Sequence, residues 1–417
     1  MIASKLLPTS IKGTCNIPSR SICHKSKLKP KKNNYHWPYE RRSWGYLNFF
    51  LDINTKGKFD ENTKIIQVEG NISAGKQQFA KKLADELGMA YLPPVDLESY
   101  YINKHGFDYR ALNALLPERL RHCDWEMFHE NPARHSVIHM QHYLFKLRAF
   151  NYYKALRHLF NTGQGVVMTR SVFTERGIVE AMHNVGWLPK GYLRGDGIRF
   201  YDWKHRYVFI RNMLLANALK PHLVIYLDTP VDTCLDRIKN DPDPMIANSN
   251  ALTKEFLEEV ETAFKNIVLP KQDHNSHVLV VDHPEHKSSD EVHDVIDDIE
   301  PINFEYDPHD TRFESWDSDL YQHWYFDHRR KYTTCLYAET LSDFCDQPWF
   351  DIAGLGDSIS QGDLILRKTL YQAHVGDIGQ NRGYWTDTRV HGPLAAVFGK
   401  WQNLSERIDD RCRTDFI

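Results

Sequence analysis

The chain has 417 residues, a formal net charge of −3, 41% hydrophobic and 26% charged residues. That is the composition of a globular protein long enough for two or three domains, and it excludes wholesale disorder and a fibrous architecture. No run of apolar residues reaches the length of a transmembrane helix, so any membrane association is expected to be peripheral, through partners.

Charge is unevenly spread. Residues 1–39 hold eight Lys/Arg and no acid, which leaves about −11 on the remainder. An acidic body is a poor polyanion binder, so nucleic acid is not an expected partner. The basic, acid-free, Ser-containing residues 1–40 read as a mitochondrial targeting leader, with a basic tail as the alternative. Cleavage is expected near residue 35. Residues 41–63 form a linker without periodicity. The seven cysteines lack any C-x-x-C spacing, which argues against a disulfide framework, a zinc ribbon or an iron–sulfur cluster. His135, His139 and His142 share a helical spacing, but no nearby carboxylate completes a metal set, so no metal ligands are assigned.

From residue 64 the pattern alternates between short apolar runs and helical spacing. Lys64-Ile-Ile-Gln-Val-Glu69 is a buried-strand candidate, and apolar residues at 79, 80, 83, 84 and 87 predict a helix closed by Gly88. Met89–Leu92 is a second strand candidate. Residues 136–161 predict a long helix, followed by strands at 166–169, 222–228 and 277–282, with a helix over 252–268. Five such runs separated by helices predict an α/β fold: a P-loop NTPase-type five-stranded parallel sheet with helices on both faces, spanning 64–300. Residues 301–417 hold five of the ten tryptophans without a clean period, and read as an irregular, aromatic-rich extension for subunit contacts, ordered by packing either on the chain's own core or on another protein.

Gly70-Asn-Ile-Ser-Ala-Gly75-Lys76 matches G-x-x-x-x-G-K between a strand and a helix. Glycines let successive backbone N–H groups face one anion, the helix N-terminus adds partial positive charge, and Lys76 adds a point charge. Gly70, Asn71, Ile72, Ser73, Ala74, Gly75, Lys76 and Gln77 are therefore candidate phosphate-binding residues. The eighth position is Gln77, where a Ser or Thr hydroxyl ordinarily coordinates Mg²⁺, so the site is poorer for that metal. No G-x-G-x-x-G occurs, and an FAD or NAD role has no motif support.

At these residues the chain resembles the deoxynucleoside kinase family. The loop 70–76 is similar to the family's, Thr169-Arg170-Ser171-Val172-Phe173 resembles its Glu-Arg-Ser-Val-Tyr segment, and Thr229-Pro230 with Cys234-Leu-Asp-Arg-Ile238 resembles its run into the lid. The resemblance implies a nucleoside-base pocket at Gln141, Arg148 and Glu175, with Arg170 available to a phosphate or hydroxyl. It also implies losses. Pro93 stands where the family places its base, Thr169 where it places a second acid, and Asp241 and Asp243 where lid arginines belong. A general base contributes about 10²–10⁴ in rate and a transition-state arginine about 10³–10⁵, so no catalytic residue is assigned.

The leader, Pro94-Val-Asp96, Pro221–Asp228 and the long tail resemble one branch of the family: kinase-like accessory subunits of mitochondrial complex I. That branch implies a non-catalytic pseudokinase on the matrix side of the inner membrane. It would contact other complex I subunits, support assembly, and hold a purine nucleotide (ATP, ADP or a deoxynucleotide) as a structural ligand. The rival expectations are an active mitochondrial deoxynucleoside kinase and a free nucleotide-sensing protein.

Overall fold

The structure, a computed structural model, describes residues 21–28, 59–101, 121–134, 136–188, 218–282, 290–307, 312–316 and 328–333, with single positions at 39, 108, 110, 113 and 310. Its frame is a parallel sheet of β1 (Ile65–Gly70), β2 (Ala90–Leu92), β3 (Val166–Thr169), β4 (Leu223–Asp228) and β5 (His277–Asp282), in the order β2-β3-β1-β4-β5. All five expected strands are present, shifted by at most a residue at each start. The helices are α1 (Lys76–Leu87), α2 (Glu98–Tyr101), α3 (Trp125–Glu130), α4 (Val137–Thr162), α5 (Glu175–Asn184), α6 (Val231–Lys239), α7 (Pro244–Ala247), α8 (Lys254–Ala263), α9 (Leu269–Asp273) and α10 (Asp290–Ile299). The expected helix over 252–268 is interrupted: after Ala263 the chain winds into a π-helical turn at Phe264–Val268 before α9.

Strand alternation splits the core into two layers. Ile65, Val166, Met168 and Tyr226 face one layer with Tyr152, Leu156, Phe160, Val179 and Phe256. Ile66, Val68, Val167, Leu223, Ile225 and Leu227 face the other, with Phe79, Leu83, Val292 and Ile296. The sheet is thus covered on both faces, which is why its strands read as continuous apolar runs. From β1 the chain crosses to β2, whereas from β3 it crosses the other way to β4, so the chain's direction across the sheet reverses beside β1 and β3. Ligands of open parallel sheets bind in the crevice beyond the strand ends at such a reversal.

Two flanking segments join this core. Ile22 is fully buried in the second layer. The neighbouring Cys23 backbone is clasped by Asn62, whose Oδ1 accepts from Cys23 N at 2.8 Å while its Nδ2 donates to Cys23 O at 2.6 Å. Tyr39 is also buried, its hydroxyl 2.7 Å from His158 Nδ1. Beyond residue 300, Phe304 and Phe313 enter the second layer and Tyr332 the first. Trp316 Nε1 donates to Lys220 O at 2.8 Å, and buried Arg329 donates to Asn161 Oδ1 at 3.0 Å. The described part of the extension therefore packs on this domain's own core. The expectations for residues 1–20 and 334–417, and for His135, fall outside the described residues.

Candidate functional site: a phosphate cradle and a buried arginine–glutamate pair

The loop after β1 is built for close approach. Gly70 has φ +152°, and a Cβ there would stand 2.8 Å from Leu227 O. Gly75, the residue before α1, is left-handed at φ 84° and ψ 11° with no side-chain cap, so the first N–H groups of α1 are left for a ligand. Asn71 braces the loop from inside: its Oδ1 accepts from Ile72 N at 2.8 Å and its Nδ2 donates to Leu257 O at 3.0 Å. From α6, Arg237 donates to Ser73 O at 3.3 Å.

Lys76 is buried and folds back on its own loop, donating to Gly70 O at 3.2 Å and to Asn71 O. Burial, helped by the nearby Arg170, pushes its amine down to about 7 against the opposing Glu69 carboxylate. An anion in the cradle would draw this amine toward the charged form. Gln77 is exposed on the first turn of α1 and offers no hydroxyl, so the residues present do not fit the Mg²⁺ site of a phosphoryl-transfer loop.

A buried carboxylate links this loop to the segment after β3. Glu69 Oε1 accepts from Gln67 Nε2 at 2.7 Å, Ser171 N at 3.0 Å and Thr174 Oγ1 at 2.6 Å. Between them sits Arg170 at φ 52°. Three non-glycine residues among those described have positive φ, and two of them, Ser73 and Arg170, lie at this site. Strained backbone tends to persist where a site requires it. Burial lowers the Arg170 guanidinium below its usual value, opposed by Glu69.

The second half lies on the helices over the first core layer. Arg148, on α4, pairs with Glu175, the first residue of α5; both side chains are almost wholly removed from solvent. The position of Glu175 at a helix N-terminus suits its negative charge. Gln141 lies seven residues before Arg148 on α4, is 3% exposed, and its Oε1 has no hydrogen-bond partner. A buried amide oxygen without a partner costs about 1–3 kcal/mol, which a donor group on a ligand would recover.

The positions tied to chemistry are arranged differently. Pro93 is exposed at the end of β2, and its carbonyl accepts from Asn151 Nδ2 on α4 at 2.9 Å. Thr169 is buried at the end of β3. Asp241 accepts from Asp243 N at 3.0 Å, and Asp243 caps α7 by accepting from Met245 N at 2.9 Å. Both acids shape a turn. Sequence reasoning passed over Glu69 and Gln67. Their signal was present: two polar residues at i and i+2 inside an apolar strand share one face, and a buried face tolerates them only with partners.

A parallel sheet, a G-x-x-x-x-G-K loop at the direction reversal and a helix-borne buried Arg–Glu pair define a P-loop protein of the nucleoside-kinase type. The chain belongs to the deoxynucleoside kinase family, whose pattern it matches over residues 66–302. Among curated relatives it is 32% identical over 267 residues to the NADH dehydrogenase [ubiquinone] 1 alpha subcomplex subunit 10, mitochondrial, of Rattus norvegicus, covering 64% of this chain and 69% of the relative. It is 26% identical over 236 residues to deoxyguanosine kinase of Dictyostelium discoideum, covering 56% and 69% respectively. Among solved structures, the deoxyadenosine kinase of M. mycoides with bound dATP aligns at a TM-score of 0.41 and 14% identity, over 56% of this chain and 98% of that one.

Proposed function

We propose that the chain is a non-catalytic accessory subunit of mitochondrial NADH:ubiquinone oxidoreductase, on the matrix side of the inner membrane, holding a purine nucleotide as a structural ligand. One observation carries this reading. The pair Arg148–Glu175 is buried, and Gln141 on the same helix buries an Oε1 that has no partner, whereas Pro93 and Thr169 stand where the family has carboxylates. Binding groups remain and proton-transfer groups do not. The rodent relative, named as a complex I subunit, supports the assembly half of the reading. No described helix is long and apolar enough to cross a membrane, which is consistent with attachment through other subunits.

Native gels of mitochondria test the assembly half: the chain should co-migrate with complex I, and a free pool alone overturns it. Purified protein tests the binding half: it should gain thermal stability with a nucleotide while transferring no phosphoryl group to deoxynucleosides. A second reading, a working deoxynucleoside kinase, draws on the Dictyostelium relative and on Glu69, a buried carboxylate held between the loop and Arg170. Turnover with ATP and Mg²⁺ would select it.

Two boundaries of the proposal follow from packing. Removal of the leader is proposed to stop before Ser21, ahead of the expected position near 35, because Ile22 fills the core and Asn62 holds Cys23. The partner-binding extension is proposed to begin after Thr333. Truncation there should leave a folded domain that fails to enter the large complex. Truncation at 300 should also destabilise the domain in urea unfolding, since it strips Phe304, Phe313 and Tyr332 from the core.

A further inference from the structure

Roughly 15 Å along α1 from the phosphate cradle, by the rise of a helix, three side chains from distant parts of the sequence converge. They are His24 in the docked N-terminal segment, Glu86 in the last turn of α1, and His293 on α10. One ligand atom from each lies within 4.8 Å of the other two. His24 Nε2 is 2.8 Å from Glu86 Oε2, and the two imidazole centroids are 6.1 Å apart at 40°.

The arrangement is held from behind. Burial of Ile22 and the Asn62 clasp fix the chain next to His24, and its Nδ1 lies 2.7 Å from Ser26 Oγ. Lys27, bonded to Glu300 at 2.6 Å, ties the same segment to the residue after α10. Two imidazoles and one carboxylate are the donor set of zinc and similar borderline cations, whereas Ca²⁺ and Mg²⁺ take oxygen ligands.

We propose that His24, Glu86 and His293 form a binding site for Zn²⁺ or a similar transition-metal ion, which staples the 21–28 segment to α1 and α10. Three protein ligands leave a fourth position for water. Without metal, His24 Nε2–H donates to Glu86 and Ser26 N donates to Nδ1 at 3.2 Å. Binding puts the ion in place of the Nε2 proton; the ring then carries its proton on Nδ1, which donates to Ser26 Oγ, and the exposed Ser26 N–H turns to water. His293 is exposed and can close the remaining distance by a rotamer change. Lys25 Nζ, 4.0 Å from Glu86 Oε2, competes with the ion for the carboxylate. It is half exposed and also donates to Asp85 O at 2.8 Å, so it can yield without burial cost.

The test uses the full chain. Zn²⁺ at about 100 times its Kd should raise Tm by roughly 5–10 °C, and EDTA should reverse the rise. Co²⁺ should give the visible absorption of a low-coordinate nitrogen–oxygen site at one equivalent. His293→Ala and Glu86→Gln, both surface-accessible, should each abolish the shift and the absorption while leaving nucleotide-dependent stabilisation intact. Lys25→Ala should tighten binding. Unchanged Zn²⁺ stoichiometry and affinity in His293→Ala would overturn the site, as would absence of the Co²⁺ signature. A mature organelle protein that begins after His24 overturns it as well.

Discussion

The two halves of the site differ in what holds them. On the side proposed to take the base, Arg148 and Glu175 neutralise one another inside the core. On the phosphate side, Lys76 and Arg170 are two buried or half-buried cations with Glu69 as their neighbouring carboxylate, and Lys76 is spent on loop carbonyls. One half is electrostatically closed; the other carries excess positive charge that an anion would complete. The proposed binding without turnover is understandable in these terms. Recognition needs charge and shape that exist before the ligand arrives, whereas phosphoryl transfer needs a base, a metal ligand and lid cations placed around the moving group. The first set can persist when the second is lost.

The largest expected effect comes from breaking the closed half. Arg148→Met alone or Glu175→Leu alone should cost about 3–5 kcal/mol in urea unfolding, because each leaves a buried charge unpaired. The double variant should recover most of that loss. A small effect in the single variants would mean that the pair is not desolvated and the contrast between the halves is false.

The open half should respond to ligand. At about 100 times Kd a purine nucleotide should stabilise the protein by about 2.7 kcal/mol, and Lys76→Ala should remove most of this gain. Gln77→Ser alone should not produce kinase turnover, since Pro93 and Thr169 still lack carboxylates. Robust transfer by either form would collapse the distinction between binding and chemistry.

A smaller effect tests how firmly α5 presents Glu175. A Cβ on Gly177 would sit 2.9 Å from the Phe264 ring and 3.0 Å from Val268. Gly177→Ala should therefore cost about 1–3 kcal/mol by overpacking, and should weaken nucleotide binding by displacing α5. Equal stability with unchanged binding would show that the π-helical turn yields to the added methyl.

The smallest effect is in pH. Lys76 has a folded value of about 7, below its unfolded one. The folded state therefore binds fewer protons between about 7 and 10, and this residue's burial costs most below pH 7 and is relieved as pH rises. Nucleotide binding has the opposite dependence, because an anion prefers the charged amine. Affinity should fall by up to about tenfold per pH unit above 7, and Lys76→Ala should flatten the profile. A wild-type profile as flat as the variant's would remove Lys76 from the cradle.

Much of this molecule is determined locally and is legible in the chain. The five apolar runs, the spacing of Phe79, Ala80, Leu83, Ala84 and Leu87, and the glycines of the loop each specify an element through period or backbone freedom, and the elements appear where the pattern puts them. The Gln141, Arg148 and Glu175 positions came from resemblance to a family; that Arg148 and Glu175 meet depends on how α5 is placed against α4, which no local period encodes. The role of Glu69 was settled by tertiary contact too, since a carboxylate at a strand end becomes a brace only when Ser171 and Thr174 arrive from across the sheet. The flanking segments are the clearest case. Ile22, Phe313 and Tyr332 look like isolated apolar residues in a basic leader and an irregular tail, and burial alone makes them part of the core. Local patterns decide which elements form; contacts between residues hundreds of positions apart decide where the domain ends, because hydrophobic burial is indifferent to sequence separation.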